Sequence, residues 1–517
     1  MKKYITYIAA ATFALVACEP EFDNDISEGG FYSAGEADFS NFVSVGNSLT
    51  AGYADNALYR EGQENSFPNI MAKQFKLVGG GEFRQPLMED NLGGLLLNGT
   101  LIQQNRLVLA VGESGMPAPA PLAGEPRTDI TNTLSGNFNN LGAPGAKSYH
   151  LLAEGYGNVA GIAAGQANPF YARFASSSTS SIIQDAVAQS PSFFSFWIGN
   201  NDILGYATSG GTGVNQQGNF DPSTYAGNDI TDVNVFAQAY STALEALTTS
   251  ASGGVVFTIP NVTDIPFFTT VPVNPVPLDE ATAAGLNQVF GLYNTTILGG
   301  LLQQGVITQE EFNLRQVNFS AGEGNFLTIV DEDLTDLTAI LQGAPFNLPA
   351  QLAALFGQTR QANENDLVTL TASASIGTTL GAIEFMGQQV PLISGVTVPL
   401  GDQFILTPQE QNNVAQAQAA YNGVIRQLAQ ENGLALVEAD VLLQQVSEGG
   451  IPYSSGVLTS EFATGGGFSL DGVHLTPRGY ALIANEAIRS INTTYGSTIP
   501  MVDIGYYRTI MPSNNVN

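Results

Sequence analysis

The chain has 517 residues and a formal net charge of −30, yet only 12% of its residues are charged, and Gly, Asn, Gln, Ser and Thr are abundant. A surface of that sign repels nucleic acid and anionic lipid headgroups, which excludes nucleic-acid binding as the working role. The single cysteine, Cys18, leaves no internal disulfide, and with only two histidines, His150 and His474, there is no Cys/His cluster for a zinc site.

In chain order, Lys2 and Lys3 precede an apolar stretch, Ile5 to Val16, that is too short for a stable membrane anchor and has the build of a targeting segment. It ends in Leu15-Val16-Ala17-Cys18, which resembles the lipobox of bacterial lipoproteins. That resemblance implies removal of residues 1–17, lipid attachment to the Cys18 sulfur, and a lipid-anchored place in the cell envelope. The outer membrane is the expected site, with either face open. Residues 18–37 are acidic and turn-rich (Glu19, Glu21, Asp23, Asp25, Glu28) and read as a tether. This acidic start resembles the export signal of some Bacteroidetes surface lipoproteins.

Four βα units of a parallel sheet follow. The first strand is Phe42–Val45, with a helix starting near Ser48; the second is Phe193–Ile198, apolar except for Ser195. The third, Val255–Ile259, follows a helix whose Phe236, Tyr240, Leu244 and Leu247 keep helical spacing. The fourth, Leu434–Val437, follows a helix opening at Thr407-Pro408-Gln409-Glu410, a capping box with proline at the first helical position. A last helix follows Thr476-Pro477, with Tyr480, Ile483, Ala484 and Ile488 on one face. Near-continuous apolar strands of this kind are buried on both faces. Residues 78–135 and 205–230 read as irregular or loop, and residues 267–402 as an insertion or small subdomain. The core is therefore expected in two parts, residues 38–266 and 403–517, the latter including a C-terminal tail.

Chemistry concentrates at the ends of these strands. Gly46-Asn47-Ser48-Leu49 places a serine at a strand-to-helix turn, and Asp471-Gly472-Val473-His474 sets a carboxylate three residues before a histidine. A serine, a histidine able to exchange its proton near neutral pH, and an acid to orient that histidine are the parts of a nucleophilic triad. Taken alone, each piece has a plain structural use: a helix cap, a turn, a capped loop.

With Asn140-Leu141-Gly142-Ala143-Pro144-Gly145 and Gly199-Asn200-Asn201-Asp202 between them, the four blocks resemble, in order, those of the SGNH (GDSL-type) hydrolases. The resemblance covers about residues 38–266 and 403–495, and the insertion lies outside it. It implies a three-layer α/β/α sandwich on a five-stranded parallel sheet (flavodoxin-like), with large insertions. It also implies an ester hydrolase without cofactor or metal. Ser48 would be the nucleophile, His474 the base and Asp471 its orienting acid, with an oxyanion hole formed by the Ser48 and Gly145 backbone N–H groups and the Asn201 amide. One departure is Asn47, where the family usually has Asp; both favour such turns through local hydrogen bonds. His150 reads as a surface or structural residue near the site, not as a ligand. No G-x-S-x-G elbow, G-x-x-x-x-G-K loop or dinucleotide fingerprint is present. The ester stays open between a lipid and a carbohydrate acetyl group. Two readings compete: a surface protein that binds glycan or lipid on the same fold, with little turnover, and an outer-membrane transport or adhesion component whose working part is the insertion.

Overall fold

The computed structural model describes residues 31–111, 115–385 and 388–516. Cys18, the targeting segment and most of the acidic tether lie outside the described residues.

Five strands form one parallel sheet: β1 (Phe42–Gly46), β2 (Asn140–Gly142), β3 (Phe193–Trp197), β4 (Gly253–Phe257) and β5 (Ala435–Val437), in the order β5-β4-β3-β1-β2. The helices used below are α1 (Ser48–Ala51), α2 (Phe67–Phe75), α3 (Ile182–Val187), α4 (Asn201–Thr208), α5 (Val233–Ser250), α6 (Pro408–Glu431), α7 (Ala439–Glu448) and α8 (Pro477–Tyr495). Alternation along each strand decides which layer a side chain joins. Val43, Val45, Phe194, Phe196 and Val256 pack with α3, α5 and α6. Phe42, Phe193, Trp197, Val255 and Phe257 pack with α2, α7 and α8. Both faces are thus covered, which is why β1, β3 and β4 are buried along their whole length.

Polar breaks in the strands are answered locally. Ser195 lies opposite Ser44 on β1, and the two hydroxyls hydrogen-bond at 2.6 Å inside the sheet. At the start of β4 the sequence reading fails by two residues: the strand is Gly253–Phe257, not Val255–Ile259. A glycine pair reads as a breaker, but here the Phe194 ring fills the space over Gly254, and a Cβ there would lie 2.5 Å from it. Tyr495 Oη completes the fit by accepting from the Gly254 N–H and donating to its carbonyl, both at 2.9 Å. The expected loop at 205–230 begins inside a helix, since α4 runs to Thr208. The capping box at Thr407 forms, with Glu410 Oε2 accepting from the Thr407 N–H at 2.6 Å. Residues 78–135 hold two antiparallel hairpins, Leu95–Leu97 with Thr100–Gln103 and Leu107–Val111 with Pro117–Pro121.

The insertion has a core of its own. Phe290, Tyr293, Leu298, Ile329 and Phe356 belong to a cluster separate from the two that flank the sheet. Within it Arg360 is buried and doubly paired, with Asp366 at 2.6 Å and Asp331 at 2.5 Å. Buried pairs of this kind are costly to break from one side, because the abandoned charge has no water. Among the described residues no helix is long and apolar enough to cross a membrane.

The insertion meets the core through acids as well as apolar groups. Ligand oxygens of Glu332, Asp402 and Glu410 lie within 4.8 Å of one another. Glu410 Oε1 and Asp402 Oδ1 are buried and meet no hydrogen-bond partner. Burial, and then the neighbouring Glu332, push Asp402 up to about 8 and Glu410 up to about 9. The folded state therefore holds protons that the unfolded chain releases near pH ~4, so stability falls as pH rises from there through the folded values. Urea midpoints taken between about pH 5 and about pH 9 should show this fall, and Glu410→Gln should flatten it.

Candidate active site

The strand order reverses between β1 and β3, and in open α/β sheets ligands bind at the carboxyl ends of strands where that happens. Ser48 follows β1 directly, and Asn200 and Asn201 follow β3. Asn47 caps the first turn, its Oδ1 accepting from the Leu49 N–H at 3.1 Å. Its amide donates to Asn200 Oδ1 at 3.2 Å, a bond a carboxylate at 47 would not donate. Asn47 thus links the first and third blocks.

The three triad residues meet. His474 Nε2 lies 2.9 Å from Ser48 Oγ, and His474 Nδ1 lies 2.9 Å from Asp471 Oδ2. With a carboxylate facing Nδ1, the proton resides there and the Nε2 lone pair faces the serine. The Asp471 side chain is 9% exposed and takes five hydrogen bonds. Besides the imidazole they come from the Val473, His474 and Asn56 N–H groups and the Ser469 hydroxyl, at 2.9, 2.8, 2.8 and 3.1 Å. Burial alone would raise its pKa. The His474 ring and the other donors outweigh that and hold it well below the usual carboxylate range.

Sequence reasoning missed the bracket behind Asp471. Asp55 and Asn56 both adopt left-handed backbone, φ 53° and 61°, conformations that Asn and Asp tolerate best. The turn aims the Asn56 N–H at Asp471. It also sets the Asp55 N–H on Ser469 Oγ at 2.9 Å and brings the Leu470 N–H to Asp55 Oδ1 at 3.1 Å. Burial pushes Asp55 above the usual carboxylate range, against the Leu470 N–H that lowers it. Tyr53 packs its ring 4.6 Å from the His474 ring, and Tyr480 Oη holds the Tyr53 carbonyl at 2.6 Å. The sole sequence signal was the Asp-Asn pair itself, a turn former.

The three expected oxyanion donors are placed as follows. The Ser48 and Gly145 N–H groups donate to no described residue. Gly145 is exposed with φ +82°, and a Cβ there would meet open space. Its loop is tied to β1 by the Ala143 N–H on the Gly46 carbonyl at 3.0 Å. The Asn201 amide lines the pocket beside Ser48 and uses one proton on the Ala146 carbonyl at 2.9 Å, which leaves the second. Because α1 is a single turn, its dipole contributes little at Ser48. Asp202, fully buried, anchors the second block by accepting from the Ser148 N–H and hydroxyl at 2.9 and 2.7 Å.

His150 does not join the site. It accepts from the Lys147 N–H through Nδ1 at 3.1 Å and stacks on Tyr156 at 4.6 Å, and burial and then Lys147 lower its pKa to about 4. Among the described residues, Glu332, Asp402 and Glu410 are the group of acids close enough to share a metal ion, and none of them lines the pocket at Ser48. No protein-family model matches this chain, and no curated protein or solved structure does either.

Gly472 sits inside the Asp471–His474 turn with φ +71°, and a Cβ there would lie 3.0 Å from both the Phe267 nitrogen and Leu370. The Phe267 N–H donates to its carbonyl at 2.9 Å. Gly472→Ala should cost about 1–2 kcal/mol from its backbone conformation alone, read as a lowered urea midpoint. It should also slow fluorophosphonate labelling of Ser48 by about tenfold or more, because the turn cannot shift without moving His474.

Proposed function

We propose that this chain is a serine ester hydrolase of the SGNH type, acting through an acyl-enzyme. The observation that carries the reading is the continuous Ser48–His474–Asp471 relay, with both bonds at 2.9 Å, at the sheet's switch point.

In the first step Ser48 Oγ attacks the ester carbonyl carbon while His474 Nε2 takes its proton. Asp471 stays ionised and stabilises the imidazolium. The carbonyl oxygen becomes an oxyanion facing the Ser48 and Gly145 N–H groups and the Asn201 amide. As the C–O bond to the alcohol breaks, His474 returns its proton to the leaving oxygen, and the acyl group remains on Ser48. Water then repeats the sequence: His474 takes its proton, its oxygen attacks, and the protonated serine leaves a carboxylic acid behind. No step needs a cofactor or an outside oxidant.

The cellular setting belongs to the same proposal. Lys2-Lys3, the short apolar stretch and Leu15-Val16-Ala17-Cys18 support a lipid-anchored envelope protein, tethered through residues 18–37.

Hydrolysis of p-nitrophenyl esters by the full-length protein in detergent tests the reading. Ser48→Ala should lower kcat by roughly 10⁴-fold or more and abolish labelling by a fluorophosphonate. An unlabelled Ser48 with no hydrolysis would favour a binding protein on the same fold. Asn201→Ala should lower kcat by about 10²–10³-fold while KM moves little, because the lost donor acts on the transition state.

A further inference from the structure

We infer that the ester accepted here carries a medium or long unbranched acyl chain, held in an apolar slot that opens beside Ser48; this rests on the hydrolase reading above. The slot is a narrow cavity of about 90 Å³, several times the ~10–15 Å³ that one water needs. Its only polar side chains are Ser48, Asn200, Asn201 and His474, which belong to the catalytic end. Every other lining side chain is apolar or absent, as at Gly467 and Gly479.

The slot has length as well as volume. Ala439, Leu442, Leu443 and Val446 line it from α7 at the spacing i, i+3, i+4, i+7. That face covers two helical turns, about 10 Å at 1.5 Å per residue. Leu482 and Ile483 of α8 line it as well. An acetyl group needs room for one methyl and would leave this wall uncovered. A sugar placed here would bury hydroxyls with nothing to bond, a penalty that disfavours it. An alkyl chain has no such groups, and each methylene it buries is favourable. The acyl part is the natural occupant because it stays bound to Ser48 while the alcohol leaves and water enters.

The test is a chain-length series of p-nitrophenyl esters, acetate to octanoate, on the full-length protein, with fluorophosphonate labelling of Ser48 read in parallel. kcat/KM should rise by up to about fourfold per methylene until the slot is full. Val446→Phe should cut the octanoate-to-acetate ratio of kcat/KM by about tenfold or more, the loss of two methylenes of depth. The folded fraction cancels from that ratio, so partial unfolding does not hide the result. If Val446→Phe yields no folded protein, Leu442→Trp, at a half-buried position, reads the same ratio. Faster labelling of the unaltered protein by a long-chain than by a short-chain fluorophosphonate gives the same answer without any variant. A labelled Ser48 with a flat or falling chain-length profile would overturn the acyl slot and leave the hydrolase standing. Octyl acetate outrunning ethyl octanoate would move the chain to the alcohol side and overturn the acyl assignment. No labelling and no hydrolysis of any ester would overturn the hydrolase reading and this one with it.

Discussion

The Asp471 carboxylate is the constraint on which the site depends. A charge this deeply buried is tolerable only if its lone pairs are filled, and here five donors fill them. Two come from the backbone of its own turn, one from Ser469, one from the His474 imidazole, and one from Asn56, 415 residues earlier in the chain. The last joins the two halves of the core beside the Ser48–His474 contact. If the 53–56 turn relaxed from its left-handed backbone, Asp471 would lose a donor and His474 its orientation. The strain at Asp55 and Asn56 is thus coupled to the geometry of the base, and Tyr480 on α8 and Tyr59 near Asp55 hold the turn from outside.

The parallel sheet makes this convergence possible. Strands that all point one way deliver their following loops to one edge, so Ser48 after β1 and Asn201 after β3 arrive together, and His474, from the loop before α8, meets them there. The Ser48–His474 contact alone spans 426 residues. Closing such a loop costs little more than closing a shorter one, since the entropy grows only with the logarithm of length. Placing a large insertion between β4 and β5 is therefore thermodynamically mild, provided the insertion folds around its own core, as residues 267–402 do.

What was readable in the sequence follows from which interactions are local. Ser48, Asp471 and His474 carry their chemistry in side chains and their spacing in short turns, so they stood out, and four of the five strands were apolar runs. The fifth, Asn140–Gly142, is three residues without a β-branched side chain; it is held by pairing with Ser44, Val45 and Gly46 and has no pattern of its own. The early start of β4 was hidden because Gly253-Gly254 is meaningful only with Phe194 and Tyr495 lying over it. The Asp55–Asn56 bracket and the apolar slot are both products of distant packing. Neither the partner of a turn's N–H nor the space left between α7 and α8 is written in a local pattern.

The insertion then has a bearing on chemistry that its separate core conceals. Its first residues press on the catalytic turn: Phe267 donates to the Gly472 carbonyl, and Phe267 and Leu370 fill the space where a side chain at 472 would go. Asp471 and His474 flank that glycine, so the insertion's root acts as a wall behind the acid–base pair. At its far end Asp402 and Glu332 meet Glu410 at the start of α6, where burial and the neighbouring Glu332 push Asp402 and Glu410 above the usual carboxylate range. The insertion is thus held to the core at two places, by an apolar and hydrogen-bonded contact at the 471–474 turn and by an acid cluster at the start of α6.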